Sequence, residues 1–156
     1  MQKVRERFHW YLLLLLVLAT TVVWYAIVVE DRGGTLTVTF LDIGQGDAIF
    51  IESPTGTQMM IDGGPGAIVL RELGHVMPFY DRSIDLLLVS NPDTDHMSGF
   101  LDILRAFDIR AVVEPGTVGA SADYRSFLKE VAEEGASHVI AQRGQKFEIG
   151  GGAYFE

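Results

Sequence analysis

The 156-residue chain contains no cysteine. Disulfide bonds and thiolate metal ligands are therefore excluded, although the compartment is not fixed by that absence. Basic charge is also scarce: 12 Lys and Arg residues stand against 21 Asp and Glu, for a formal net charge of -9. The first nine residues contribute +2 through three basic and one acidic side chain, which leaves -11 on the rest. Such a surface repels phosphate backbones unless bound cations or a partner supply positive potential. No basic stripe with interleaved aromatics is present to offset it, so any contact with nucleic acid has to be local and metal-mediated. Low-complexity stretches and internal repeats are missing too, while an apolar content of 48% is ample for a core.

Charge is absent altogether from Trp10 to Val29, where Thr20 and Thr21 are the polar residues. That run has the ~20-residue length needed to cross a ~30 Å hydrocarbon layer. Trp10, Tyr11, Trp24 and Tyr25 place aromatics near its ends. Lys3, Arg5 and Arg7 precede it and Glu30-Asp31 follow. The positive-inside rule then gives a cytoplasmic basic tail at 1–9, a transmembrane helix at 10–29, a linker at 30–34 around Arg32-Gly33-Gly34, and an extracytoplasmic domain at 35–156. A single-pass membrane protein with the lipid bilayer as partner is the expectation. A buried soluble helix is disfavoured by length, and a cleaved signal peptide by the lack of an Ala-x-Ala site.

Beyond the linker, Thr35 to Asp42 alternates, with Leu36, Val38 and Phe40 on the face expected to be buried. Ala48–Glu52 and Gln58–Asp62 read as further strands around a Pro54-Thr55-Gly56 turn, and Ile84–Val89 as a strand covered on both faces. Helices are expected over Ile68–Val76, from Met97 to Phe107, and between Ser121 and Gly135. The most informative segment follows the covered strand: Ser90-Asn91-Pro92-Asp93-Thr94-Asp95-His96 places four potential ligands within six residues. Imidazole nitrogen with carboxylate oxygens suits Zn²⁺, Mn²⁺ or Fe. An equally ordinary reading has Asp93 or Asp95 capping the helix that follows. Upstream, Asp62 ends its strand beside Gly63-Gly64, and Asp42 and Asp47 flank the Gly44-Gln45-Gly46 turn near the same edge. His9, His75 and His138 lie apart from other candidate ligands and are expected to be structural or on the surface. Glu114-Pro115-Gly116 reads as a turn without chemistry.

Three segments taken together, Val38–Ala48, Met60–Pro65 and Leu88–Gly99, resemble the metallo-β-lactamase-like domain of the ComEC family, the competence channel proteins of DNA uptake. The likeness starts at Leu36 and takes in Tyr124-x-x-Phe127-Leu128 and Gly144-x-x-Phe147-x-Ile149-Gly150. It implies an α/β fold, the αββα sandwich of that superfamily, of which this chain is expected to hold the first half behind its membrane helix. Asp93, Asp95 and His96 match the ComEC-like metal motif His-x-Asp-x-Asp-His, while Asn91 replaces its first histidine and offers a weak neutral donor. Asp62 matches the aspartate that orients the site.

The resemblance further implies one or two divalent ions, Zn or Mn, no nucleotide cofactor, and phosphodiester cleavage with Asp95 and Asp62 in the catalytic set. DNA and a membrane channel are the partners it implies. A non-catalytic membrane-tethered module or a fragment that assembles with a channel is the alternative, favoured by Asn91 and by the missing later ligands. The fold name alone does not imply lactam hydrolysis.

Overall fold

The computed structural model describes residues 2–30, 34–119 and 121–156, in two separate compact units divided after Gly33. The first is one helix, α1 (Gln2–Glu30), containing a 22-residue stretch from Arg7 to Val28 that is long and apolar enough to cross a membrane. Thr20 and Thr21 do not interrupt it, because their hydroxyls donate back to the carbonyls of Leu16 and Val17. Most of the expected linker, Asp31 to Gly33, lies outside the described residues.

The second unit is built on a six-stranded sheet in the order β1 (Thr37–Phe40), β2 (Ile49–Glu52), β3 (Gln58–Ile61), β4 (Ser83–Leu88), β5 (Asp108–Glu114), β6 (Ser137–Ile140). β1, β2 and β3 pair antiparallel, and β3 through β6 pair parallel. Consequently β1, β3, β4 and β5 all point the same way. Their carboxyl ends share one edge, the usual place for a site in an open α/β sheet. The amino ends of these strands share the opposite edge.

Helices cover one face of the sheet: α2 (Ile68–Val76), the short α3 (Thr94–Met97), α4 (Gly99–Ala106) and α5 (Ala122–Glu134). Each carries an apolar stripe. Val69 and Leu73, Phe100 and Ile103, and Phe127 and Val131 meet Phe50, Met60, Leu87 and Val112 from the sheet. Phe100 and Phe127 are fully buried and stack with ring centroids 6.1 Å apart, which makes α4 and α5 one layer. Ser121 caps α5 by accepting from the Tyr124 N–H at 3.0 Å, and Gly135 ends it in the left-handed region at φ 75°.

On the other face Met59, Leu86 and Val113 form a second core that includes Phe147 and Phe155 of the hairpin β7 (Phe147–Gly150) and β8 (Ala153–Phe155). Helices, sheet and hairpin thus form the successive α, β and β layers expected from the sequence. The face of β1 expected to be buried departs from that reading, since Val38 and Phe40 are exposed. They sit on the edge strand, outside the second core, which Ile51 of the neighbouring strand still joins.

Tyr124 is buried and donates its hydroxyl to Glu114 Oε2 at 2.8 Å, tying α5 to the end of β5. Burial and this bond push the Tyr124 phenol up to about 12. A raised pKa of this kind contributes stability in full below the ordinary value near 10, and the contribution disappears as pH rises through about 12. Tyr124→Phe should lower unfolding stability by about 1.5–3 kcal/mol at pH 7, the usual worth of a hydrogen bond to a charged group. Urea denaturation at pH 7 and pH 11 tests this, and the deficit of the variant should be smaller at the higher pH.

Candidate metal centre

Three loops meet at the carboxyl edge of the sheet, and Asp62 ties two of them together. It follows β3, is 2% exposed, and is the non-glycine residue with positive φ among those described (56°). That conformation is uncommon for a side-chain-bearing residue, aspartate being among the more tolerant, and costs of order 1 kcal/mol. Its carboxylate accounts for it. Oδ1 accepts the Ser90 N–H at 2.8 Å, and Oδ2 accepts the Ser90 hydroxyl. His96 Nδ1 lies 3.0 Å from Oδ2.

Backbone bonds reinforce the same junction. The His96 carbonyl accepts from the N–H groups of Gly63 (2.6 Å) and Gly64 (3.1 Å), and the Gly64 carbonyl accepts the Gly99 N–H (2.9 Å). Gly66 N–H donates to the Ser98 hydroxyl at 3.0 Å. Glycine is required at Gly99, because a Cβ there would run into the Gly63 carbonyl. The expected single helix from Met97 onward is divided for this reason: the Gly99 N–H goes to Gly64 rather than back along its own helix.

A third loop comes in from β1. Gly46, at φ 83°, passes so close to the Asp95 carbonyl that a Cβ would collide with it. The approach brings Asp47 Oδ2 to 3.7 Å from His96 Nδ1. Asp47, Asp62 and His96 each present a ligand atom within 4.8 Å of the others. Proximity alone would make Asp62 a ligand as readily as Asp47. The hydrogen bonds argue otherwise: both Asp62 oxygens are engaged by Ser90 and His96, whereas Asp47 is exposed.

With Nδ1–H donated to Asp62, His96 keeps its free lone pair on Nε2, the tautomer inferred from the bonding pattern. A histidine braced by a carboxylate in this way is the usual form of a metal-bound imidazole. The donors therefore suit a hard or borderline divalent ion, with His96 nitrogen and oxygens of nearby carboxylates.

The other motif residues are arranged less convergently. Asp93 sits at the N-cap position of α3 but makes no side-chain capping bond; its Oδ2 instead accepts from Asn91 Nδ2 at 2.9 Å. Asp95 is exposed in the first turn of α3 and adds to the negative potential on His96. Asp42 is exposed on the β1 loop. At the neighbouring strand end, His138 Nε2 lies 3.0 Å from Glu114 Oε1. Glu114, read from sequence as part of a plain turn, is thus a buried carboxylate held by Tyr124 and His138. His75 is exposed on α2.

Burial lowers the His96 pKa, but the hydrogen bond to Asp62 and the charges of Asp62, Asp95 and Asp47 outweigh it, and the net shift is upward from 6.5. The charged imidazole accordingly stabilises the metal-free fold below pH 6.5, and that contribution is lost as pH rises through the higher folded value. A metal must displace the same proton, so metal affinity should decline on acidification through that raised value. An NMR titration of metal-free protein should give a His96 midpoint above 6.5, and Asp62→Asn should bring it down. A wild-type midpoint at or below 6.5 would show that the carboxylates do not govern the ring.

Residues 41–153 match the family model described as the metallo-beta-lactamase superfamily. A ribonuclease Z from Aeropyrum pernix is 29% identical over 87 residues, covering 55% of this chain and 27% of that protein, so the chain spans about a quarter of that curated relative's length. Among solved structures, a metallo-beta-lactamase from Cronobacter sakazakii with a HARLDQ motif has a TM-score of 0.50 and 17% identity, over 72% of this chain and 46% of that one. A mutant of that motif gives the same TM-score and identity over 47% of its chain. Identity at that level establishes likeness of fold. The family match spans Leu41 to Ala153, including both glycine turns, Asp62 and the Asn91–His96 motif, and the chain belongs to the metallo-β-lactamase superfamily.

Proposed function

We propose that this chain is the metal-binding part of a membrane-anchored hydrolase that cleaves phosphodiester bonds, resembling the ComEC-like proteins of DNA uptake. The observation that carries the reading is the Asp62–His96 pair. A buried carboxylate that fixes an imidazole tautomer at a loop junction has an evident use when the other ring nitrogen binds a metal. Likeness to a protein named ribonuclease Z supports a nucleic-acid substrate. The helix spanning Arg7 to Val28 supports anchoring, with the bilayer as partner. Lys3, Arg5 and Arg7 favour a cytoplasmic amino terminus and an extracytoplasmic domain. DNA and a membrane channel remain the partners this role calls for, and no nucleotide cofactor is needed.

His96, through Nε2, with Asp95 and Asp93 would hold Zn²⁺ or Mn²⁺, as one ion or two, with Asn91 as a weak donor, while Asp47 faces the protonated Nδ1 and adds negative charge there. The ion would lower the pKa of bound water enough to give hydroxide near neutral pH. Asp62 keeps the His96 proton on Nδ1 and holds Ser90 and His96 in register, which is an orienting role. Asp47 and Asp95 set a negative potential that favours a cation and repels a phosphate backbone lacking one.

One observation favours a non-catalytic module instead. The Asn91 amide occupies Asp93, so two of the four motif residues bond each other rather than converging with His96.

Elemental analysis of the purified full chain loaded with Zn²⁺ or Mn²⁺ separates the two. The hydrolase reading expects stoichiometric metal that is lost in Asp95→Ala and His96→Ala, and affinity lowered about 10–100-fold in Asp62→Asn. Folded protein that takes up neither ion would support the non-catalytic module.

A further inference from the structure

The edge of the sheet opposite the metal centre carries a feature that the proposed chemistry does not use. Pro78, Phe79, Tyr80 and Asp81 form a tight turn between α2 and β4, closed by the Asp81 N–H donating to the Pro78 carbonyl at 3.0 Å. The two corner positions are aromatic. Phe79 is 87% exposed and Tyr80 57%, their rings packed edge to face with centroids 5.4 Å apart. Turn corners ordinarily hold glycine, asparagine or other small polar residues.

The turn is firmly braced from below. Asp81 Oδ2 accepts from Gln58 Nε2 at 2.7 Å, and Asp81 Oδ1 accepts from the Ser83 N–H (3.1 Å) and hydroxyl (3.0 Å). Arg82 lies over the Phe107 ring at 5.8 Å. The aromatic tip is therefore held outward by a polar base, with a cationic side chain beside it.

Topology gives the tip a setting. Because β1 runs parallel to β3 and β4, the start of β1 at Thr37 and the start of β4 at Ser83 lie at the same edge of the sheet. The chain therefore enters the domain at the edge that carries Phe79 and Tyr80.

We infer that the Phe79–Tyr80 turn is a second membrane contact, a bilayer-interface anchor that seats the amino edge of the sheet on the lipid headgroups. This rests on the membrane-anchored reading of α1. A tyrosine with its polar tip, an apolar ring packed on it and an exposed arginine close by are the composition of interfacial contacts in general. Asp81 is already paired within the fold, so the contact needs no anionic lipid. The consequence is orientational: the loops bearing Asp62 and His96 open away from the bilayer, toward the aqueous side.

The cysteine-free chain permits single-site spin labelling. The full chain would be labelled at Tyr80→Cys, Val118→Cys or Leu16→Cys, with one chain per phosphatidylcholine nanodisc. Collision with oxygen and with a water-soluble nickel chelate is then measured. Val118, 85% exposed in the loop after β5 at the opposite edge, is the aqueous reference.

The label at position 80 should show an oxygen-to-nickel collision ratio severalfold above that at 118, and adding Phe79→Asp should return it to the aqueous value. Position 16 reports on α1 alone. Lipid exposure at 16 with position 80 as aqueous as 118 overturns the interface contact and leaves the anchor standing. Aqueous exposure at 16 removes both. A label at 80 shielded from both reagents points to a protein occupant and also overturns the proposal.

Discussion

The carboxylate of Asp62 is the interaction on which the site depends. One buried group accepts the backbone and hydroxyl of Ser90 and pairs with the ring of His96, so it joins the ends of β3 and β4 and fixes an imidazole in one step. A buried carboxylate costs free energy unless its lone pairs are taken up, and here both oxygens are engaged. The left-handed backbone at Asp62 is the local strain this arrangement carries.

Packing around that carboxylate leaves no room for side chains at the crossings. Gly99 lets α4 start against the Gly63 carbonyl, and Gly46 lets the β1 loop lie over Asp95 and deliver Asp47 to His96. Behind them, the stacked rings of Phe100 and Phe127 fix α4 against α5. The rigid sheet and helices thereby position residues borne on loops, the usual division of labour in α/β proteins. At the far edge the same strand directions place the start of β1 and the aromatic turn before β4 on one side of the sheet.

Much of this was legible in the sequence because the signals are local. The apolar run before Ser90, the Ser121 and Gly135 helix boundaries, and a carboxylate at a strand end beside two glycines each follow from short-range patterns. What stayed hidden depends on contacts between segments far apart in the chain. Asp47 comes near His96 only through the Gly46 crossing, and the division of the helix at Ser98 arises from a bond to Gly64, 35 residues away from Gly99. The buried Glu114, held by Tyr124 and His138, looked like a turn because burial of a lone glutamate leaves no periodic trace. Exposure of Val38 and Phe40 reflects how far the second layer extends, which alternation within β1 does not encode.

The tautomer of His96 decides whether Asp62 presents the ring to a metal. Long-range nitrogen-proton NMR on metal-free protein, at a pH where the ring is neutral, distinguishes a proton on Nδ1 from one on Nε2. The proton is expected on Nδ1, held by Asp62, with a selective shift of Nε2 when Zn²⁺ is added. A ring protonated on Nε2, or one whose Nε2 resonance ignores the metal, would contradict the claim that Asp62 presents His96 as a ligand.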